Sequence, residues 1–260
     1  MLITLTTDFG TADHFVGAMK GVMLKIAPRV TIVDITHGIA PFDVNEAAFT
    51  IAQAWRWFPK GTIHVVVVDP GVGTARRPIL VEAEGQRFIG PDNGVFTMIF
   101  DRGSYKVRVI ENPKLMLKEV SRTFHGRDVF APAAAHLARG VAAGRCGKLV
   151  RDYVRTSGMN PVETKKNRWA GKVLKVDRFG NLITNFHIDE FPDVRSRTFE
   201  LLAGNGIIRR LAQTYSESGE GEVTAIVGSS GFLEISVNQG SAAQRLDCGA
   251  GAEVELSIPR

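Results

Sequence analysis

The sequence predicts an α/β protein in two parts, an N-terminal α/β domain followed by a small C-terminal domain made of strands. Three observations carry this. Apolar segments of strand and helix period alternate through about residue 150, the pattern of a parallel or mixed sheet covered by helices. A polar stretch over residues 153–168, interrupted by Gly158 and Pro161, reads as a linker. From Gly171 onward helical periodicity vanishes and short strand-like runs recur, which suits a small barrel or sandwich. The expected domains are 1–152 and 169–260, joined by 153–168.

Each element follows from local pattern. Leu2–Leu5 is a short apolar strand leading into Thr6-Thr7-Asp8-Phe9-Gly10. Phe15, Met19, Val22, Met23 and Ile26 recur at helical spacing until Pro28 stops them. Val30–Ile35 is a second strand. Asp43, with Glu46 three residues on, starts a second helix in the manner of a capping box; Pro59-Lys60-Gly61 ends it. Ile63–Val68 is a near-continuous β-branched run, as in a central parallel strand buried on both faces. It ends in Asp69-Pro70-Gly71-Val72-Gly73. Strands over 79–83 and 87–89, a helix over 92–100, a strand over 106–110 and an alanine-rich helix over 127–139 complete the first part. The second part holds strand candidates at 172–176, 182–186, 198–203, 207–211, 223–227, 232–237 and 253–258.

Composition excludes several classes. With 44% hydrophobic and 23% charged residues, disorder is not the main state. No apolar run spans a bilayer and the N-terminus has no basic leader, so a cytoplasmic location and no membrane partner are expected. Two cysteines, Cys146 and Cys248, exclude a disulfide framework and a four-cysteine zinc site. The net charge of +5 is scattered among acidic residues. Without a basic stripe and interleaved aromatics, no nucleic-acid partner is expected.

Five clusters carry candidate chemistry. Asp8 and Asp69 each end a strand and precede glycine-rich sequence. Either caps the next turn, or the two share a site at the carboxyl edge of the sheet. Gly71-Val72-Gly73 lacks a third glycine, since position 76 is Arg76, so it is no dinucleotide fingerprint. Thr123-Phe124-His125-Gly126-Arg127-Asp128 precedes the alanine-rich helix. His125 there is a pH-active donor or a satisfied loop histidine, and Asp128 an early-helix acid. Asp177-Arg178-Phe179-Gly180-Asn181 is a hairpin turn. Alternatively it presents a carboxylate, an aromatic face and an amide suited to an amine and an adenine ring. Gly228-Ser229-Ser230-Gly231 is followed by Phe232–Asn238, where Glu234 interrupts an apolar strand. It faces solvent or belongs to a site.

Taken together and in order, these clusters resemble the S-adenosyl-L-methionine (SAM) hydrolase (adenosine-forming) family, or SAM hydroxide adenosyltransferases, sister to the fluorinases and chlorinases. The resemblance spans essentially the whole chain. It implies a Rossmann-like α/β domain, a C-terminal β-barrel, and a homotrimer with substrate between one subunit's N-domain and its neighbour's C-domain. It also implies that Asp69, Arg76 and His125 activate water. Asp8 would hold the ribose hydroxyls, with Phe42, Thr123 and Phe124 around the ribose and C5′. Asp177 and Ser229 would contact the methionine part, and Phe179, Asn181, Val237 and Asn238 the adenine end. Glu234 is added as a substrate-binding candidate. The halogenases' tyrosine and threonine are replaced here by Asp69 and Val72, their inserted loop between Arg77 and Gly90 is absent, and Ser230 stands where they carry arginine.

The implied reaction is displacement at C5′ of SAM by water. Methionine leaves as a neutral thioether, so activating the nucleophile is the main task. SAM is then the small-molecule substrate, and neither cofactor nor metal is expected. Rival readings are a 5′-halogenase, a non-catalytic adenosine or SAM binder, and a metal-dependent hydrolase built on Asp8, Asp69 and His125.

Overall fold

A computed structural model describes residues 1–259 and forms two compact units, the division falling between Thr156 and Ser157. The first contains β1 (Leu2–Thr7), α1 (Phe15–Ile26), β2 (Thr31–Thr36), α2 (Val44–Ala54), β3 (Ile63–Val67), β4 (Pro78–Ala83), β5 (Gln86–Pro91), α3 (Thr97–Phe100), β6 (Tyr105–Val109), α4 (Ala131–Ala138) and β7 (Leu149–Val150). They build a seven-stranded mixed sheet of order β2-β1-β3-β5-β4-β6-β7. The pairs β1·β2, β1·β3 and β3·β5 are parallel.

Because β2 lies on one side of β1 and β3 on the other, the chain changes direction of travel across the sheet between β1 and β3. Ligands of open α/β sheets bind beyond the strand carboxyl ends at such a point. Asp8 follows β1 and Asp69 follows β3, so the topology brings both to that crevice.

The β-branched run of β3 behaves as its composition predicts. Ile63, Val65 and Val67 pack with Met19, Met23 and the alanines of α4, whereas Val66 packs with Ala47 and Ile51 of α2 on the opposite face. This period-2 division buries the strand completely. Each such side chain contributes roughly 1.5–3 kcal/mol. Asp43 caps α2 by accepting the Glu46 N–H at 2.8 Å. The Glu46 carboxylate reaches back to the Ala40 N–H at 2.9 Å, beyond the cap residue itself.

Three expectations change. The helix over 92–100 shortens to α3, because Asp92 binds Arg77 and the Val154 N–H, and Asn93 donates to the Val68 carbonyl. The helix over 127–139 divides into a π turn, Gly126–Phe130, and α4. The stretch 153–168 carries more structure than a linker. Arg155 pairs with Asp101 at 2.9 Å, Thr156 donates its N–H to Thr97, and residues 162–165 form a strand.

The second unit contains β8 (Val162–Lys165), β9 (Arg168–Val176), β10 (Leu182–His187), β11 (Glu200–Ala203), β12 (Gly206–Ile208), β13 (Leu211–Ala212), β14 (Val223–Val227), β15 (Phe232–Val237), α5 (Ala242–Leu246) and β16 (Glu253–Ser257). Its nine strands run β12-β11-β16-β9-β10-β15-β14-β13, with β8 paired to β9. The sheet curls into a half-barrel around Leu182, Phe186, Leu201, Ala225, Leu233, Ile235 and Leu256, as the strand runs after Gly171 predict; the short helix α5, capped by Ser241 Oγ accepting the Gln244 N–H, departs from the expectation that helices end there. Among the described residues no helix is long and apolar enough to cross a membrane.

Candidate functional site

The first unit holds a cavity of about 300 Å³ where the loops after β1 and β3 meet. Asp8, Phe42, Asp69, Val72, Thr123 and Phe124 all line it. Asp8 Oδ2 accepts the Phe42 N–H at 2.9 Å. That bond steadies an unfavourable conformation, since Phe42 has φ +69°, a region that bulky residues avoid. Phe42 is nonetheless 70% exposed. On the other wall Phe124 packs edge to face with Phe9 and Phe15, which are tilted against each other, with ring centroids 5.2–5.9 Å apart, giving a rigid apolar surface.

Behind Asp69 the three groups expected to act on water converge. The side chains of Asp69 and Arg76 are 5% and 8% exposed. Arg76 Nε donates to Asp69 Oδ1 at 2.8 Å, and Nη2 donates to Oδ2 in a bidentate pair. The same Nη2 donates to His125 Nδ1 at 2.8 Å. An arginine nitrogen only donates, so Nδ1 is the acceptor and the proton of the neutral imidazole sits on Nε2. Burial, followed by the Arg76 charge, holds the His125 pKa below the ordinary imidazole value, and Asp69 and Asp128 offset part of this. Arg76 Nη1 is buried without a hydrogen-bond partner in the protein. A desolvated N–H of a cation left without a partner is costly. Asp69 faces the cavity; Arg76 and His125 stand behind its wall.

Asp8 is remote from this ion pair in role, with its carboxylate given to the Phe42 loop. Among the described residues no group of three or more His, Cys, Asp or Glu side chains is placed to hold a metal ion.

The second unit holds its own cavity of about 540 Å³, lined by Asp177, Phe179, Asn181, Tyr215, Val237 and the Gln239-Gly240 turn. The hairpin reading of the Asp177 loop holds: Asp177 Oδ1 accepts the N–H groups of Phe179 and Asn181 at 2.8 and 2.9 Å, and Oδ2 accepts Asn181 Nδ2 at 2.8 Å. Gly180 at φ +84° makes the turn possible. The turn leaves Phe179 77% exposed over the cavity. The turn engages the Asp177 carboxylate and the Asn181 amide with each other and leaves the Phe179 ring exposed.

Four other residues stand differently. Glu234 does not face solvent: it is buried, and its Oε2 accepts from the Tyr215 hydroxyl at 3.3 Å. Burial pushes its carboxyl pKa up, the Tyr215 bond opposes this, and Asp177 adds to the rise. Asn238 donates Nδ2 to the Ser218 carbonyl at 2.7 Å. Ser229 is exposed in the Gly228–Gly231 turn. None of Glu234, Asn238 and Ser229 lines the cavity, whereas Tyr215, which the sequence reading passed over, does. Its only signal was being the sole tyrosine after Tyr153, within an unpatterned polar stretch.

Comparison with known proteins agrees with the two-domain order. Residues 3–147 match the model of the SAM hydroxide adenosyltransferase N-terminal domain, and residues 171–255 that of its C-terminal domain. The chain is 38% identical to the (R)-S-adenosyl-L-methionine hydrolase of Thermus thermophilus, over 96% of this chain and 97% of that one. It is 36% identical to the hydrolase of the same name from Methanocaldococcus jannaschii, over 98% and 95%. A fluorinase from an Actinoplanes species is 29% identical over 98% and 97%. The crystal structure of an uncharacterized conserved protein from Thermotoga maritima superposes with a TM-score of 0.90 at 37% identity, covering 99% of this chain and all of the other. With both domain models matched in order and relatives above 30% identity along nearly its whole length, the chain belongs to the SAM hydroxide adenosyltransferase family.

Proposed function

We propose that this protein hydrolyses (R)-S-adenosyl-L-methionine to adenosine and L-methionine by in-line attack of water at C5′. The observation that carries the proposal is the continuous run of hydrogen bonds from Asp69 through Arg76 to His125 at the wall of an aromatic-lined cavity. Relatives at 34–38% identity carry the hydrolase name.

In this scheme the Asp69 oxygens have lone pairs beyond those engaged by Arg76, and these accept the hydrogens of the attacking water. As the C5′–O bond forms, the C5′–S bond breaks and its electron pair returns to sulfur. Methionine leaves as a thioether, and the water's proton passes to the carboxylate and then to solvent. The Arg76 guanidinium balances negative charge on the nucleophile, an effect strengthened in a dry pocket. Neutral His125 holds Arg76 by accepting from Nη2 and keeps a second cation out of the cluster. Asp8 takes the ribose hydroxyls. Phe42, Thr123 and Phe124 enclose the sugar.

Phe179, Asn181, Tyr215 and Val237 offer the second cavity to the adenine end. Asp177 lines the same cavity through its turn, and Ser229 and Asn238 contribute through the turns that shape its surroundings. We further propose a cytoplasmic homotrimer in which one subunit's first unit meets its neighbour's second unit. Support comes from the large exposed rings of Phe42 and Phe179 at the two cavity rims, and from two free, buried cysteines.

Incubation with SAM and added chloride or fluoride tests the reaction class. Adenosine and methionine are expected, without 5′-halo-adenosine, because the Asp69 carboxylate repels a halide. Tight SAM retention with no product on long incubation would overturn the proposal in favour of a binding protein.

A further inference from the structure

Asp128 is a carboxylate that the water-attack scheme leaves unused, although it is 0% exposed and only three residues from His125. Its oxygens do not cap the helix it begins. Oδ2 accepts the Ser121 N–H at 2.8 Å, and Oδ1 accepts Arg127 Nε at 2.6 Å. Each bond leads back to the cavity. Ser121 Oγ accepts the Thr123 N–H at 3.1 Å and lies 3.1 Å from the Thr123 hydroxyl. The Arg127 guanidinium lies 4.9 Å from the centre of the Phe124 ring. The Asp128 backbone joins the same segment, accepting the Leu117 N–H and donating to the Phe124 carbonyl.

The segment held in this way touches the other half of the catalytic cluster. Gly73, in the loop between Asp69 and Arg76, has φ +76°, and any side chain there would run into the Arg122 carbonyl. The two loops therefore meet backbone to backbone, with no side chain to take up slack.

We propose that Asp128 is a positioning residue that clamps residues 117–124 against the Asp69–Arg76 loop and so sets the approach of His125 to Arg76. The kinetic part of this inference rests on the hydrolase proposal. A buried acid tied to an arginine and a backbone N–H resists displacement, because freeing either partner strands a buried charge. The charged groups bearing on the His125 imidazole are Arg76, Asp69 and Asp128. Asp128 favours the protonated ring and Arg76 opposes it.

Asp128→Asn tests the clamp, since it keeps the shape and removes the charge. We expect kcat for adenosine release to fall about tenfold to a hundredfold, the usual effect of a small misplacement of reacting groups. The His125 titration, followed by NMR, moves to lower pH. Ser121→Ala, at a half-buried position, cuts only the side-chain link to Thr123; its kcat is expected to fall by about threefold or more. A folded Asp128→Asn protein with kcat within about twofold of the parent would overturn the inference, whatever its His125 titration. So would a loss of thermal stability alone. If Asp128→Asn does not fold, Arg127→Gln, which removes the guanidinium end of the clamp, takes its place, and a parental kcat there overturns the inference. Should the parent protein make no adenosine at all, the hydrolase proposal fails, and amide hydrogen exchange still decides the clamp: protection over residues 117–124 that is unchanged in Asp128→Asn overturns it.

Discussion

Arg76 joins the site because one of its nitrogens serves two partners. Nε and Nη2 grip the two Asp69 oxygens as a fork while Nη2 also donates to His125 Nδ1, a bidentate geometry that a planar guanidinium provides and a lysine ammonium does not. Arg76→Lys is therefore expected to fail with Arg76→Ala, each lowering kcat/KM for adenosine formation by about 100-fold or more, as do Asp69→Ala and His125→Ala. Parental turnover in these variants would refute the assignment. The same geometry fixes a pH dependence. Protonating His125 Nδ1 removes the acceptor of Arg76 and sets two cations against each other. Since its folded pKa lies below 6.5, activity is expected to rise with pH through a midpoint under that value; an acid limb above it would contradict the neutral-imidazole role. At this scale the sequence supplied the three residue types only through the order of five motifs. Their contact joins positions 69, 76 and 125, which no local pattern connects. Tyr215 and the inward turn of Glu234 escaped because neither repeats at a strand or helix period.

Elements were more legible where hydrophobic period governs them, as in β1, α1, α2 and β3. They were less so where side chains compete with the backbone. The helix expected from residue 92 lost its first turns to the Asp92 and Asn93 hydrogen bonds, and the helix expected from 127 begins as a π turn, a deformation that accompanies functional sites. The β-branched run of β3 also conceals a polar ladder. His64 on β3 bonds Thr4 on β1 and Gln86 on β5 and stacks on Phe88 with ring centroids 5.0 Å apart. Burial lowers its pKa to about 4. The folded sheet holds the neutral ring, while the unfolded chain binds a proton near 6.5. The stabilisation is thus complete above 6.5 and is lost as pH falls toward 4, amounting to about 3 kcal/mol. Urea unfolding between pH 7.5 and about 4 is expected to show this loss, and His64→Gln to flatten it. An equal acid loss in His64→Gln would place the effect elsewhere.

At the scale of the whole molecule, the change from alternating α/β to a strand-dominated order was plain in the sequence, since long helical period stops after Gly171 and among the described residues the only α-helix that follows is the five-residue α5. The exact seam was not, because Arg155 and Thr156 are bound to the first unit by partners at Asp101 and Thr97. Two cavities on two units, each rimmed by an exposed phenylalanine, lead to an assembly prediction. Light scattering on the purified protein is expected to give about three times the chain mass, and a monomer that turns over SAM at full rate would contradict the shared site. In the proposed reaction solvent oxygen attacks C5′ directly, with Asp69 orienting it and never bonding to carbon. A single turnover of SAM with enzyme in excess, in ¹⁸O-water, tests this most directly. Direct attack yields adenosine carrying one ¹⁸O at its 5′-hydroxyl and leaves Asp69 unlabelled; unlabelled adenosine with ¹⁸O in Asp69 would mean that the carboxylate itself had displaced methionine, contradicting the account.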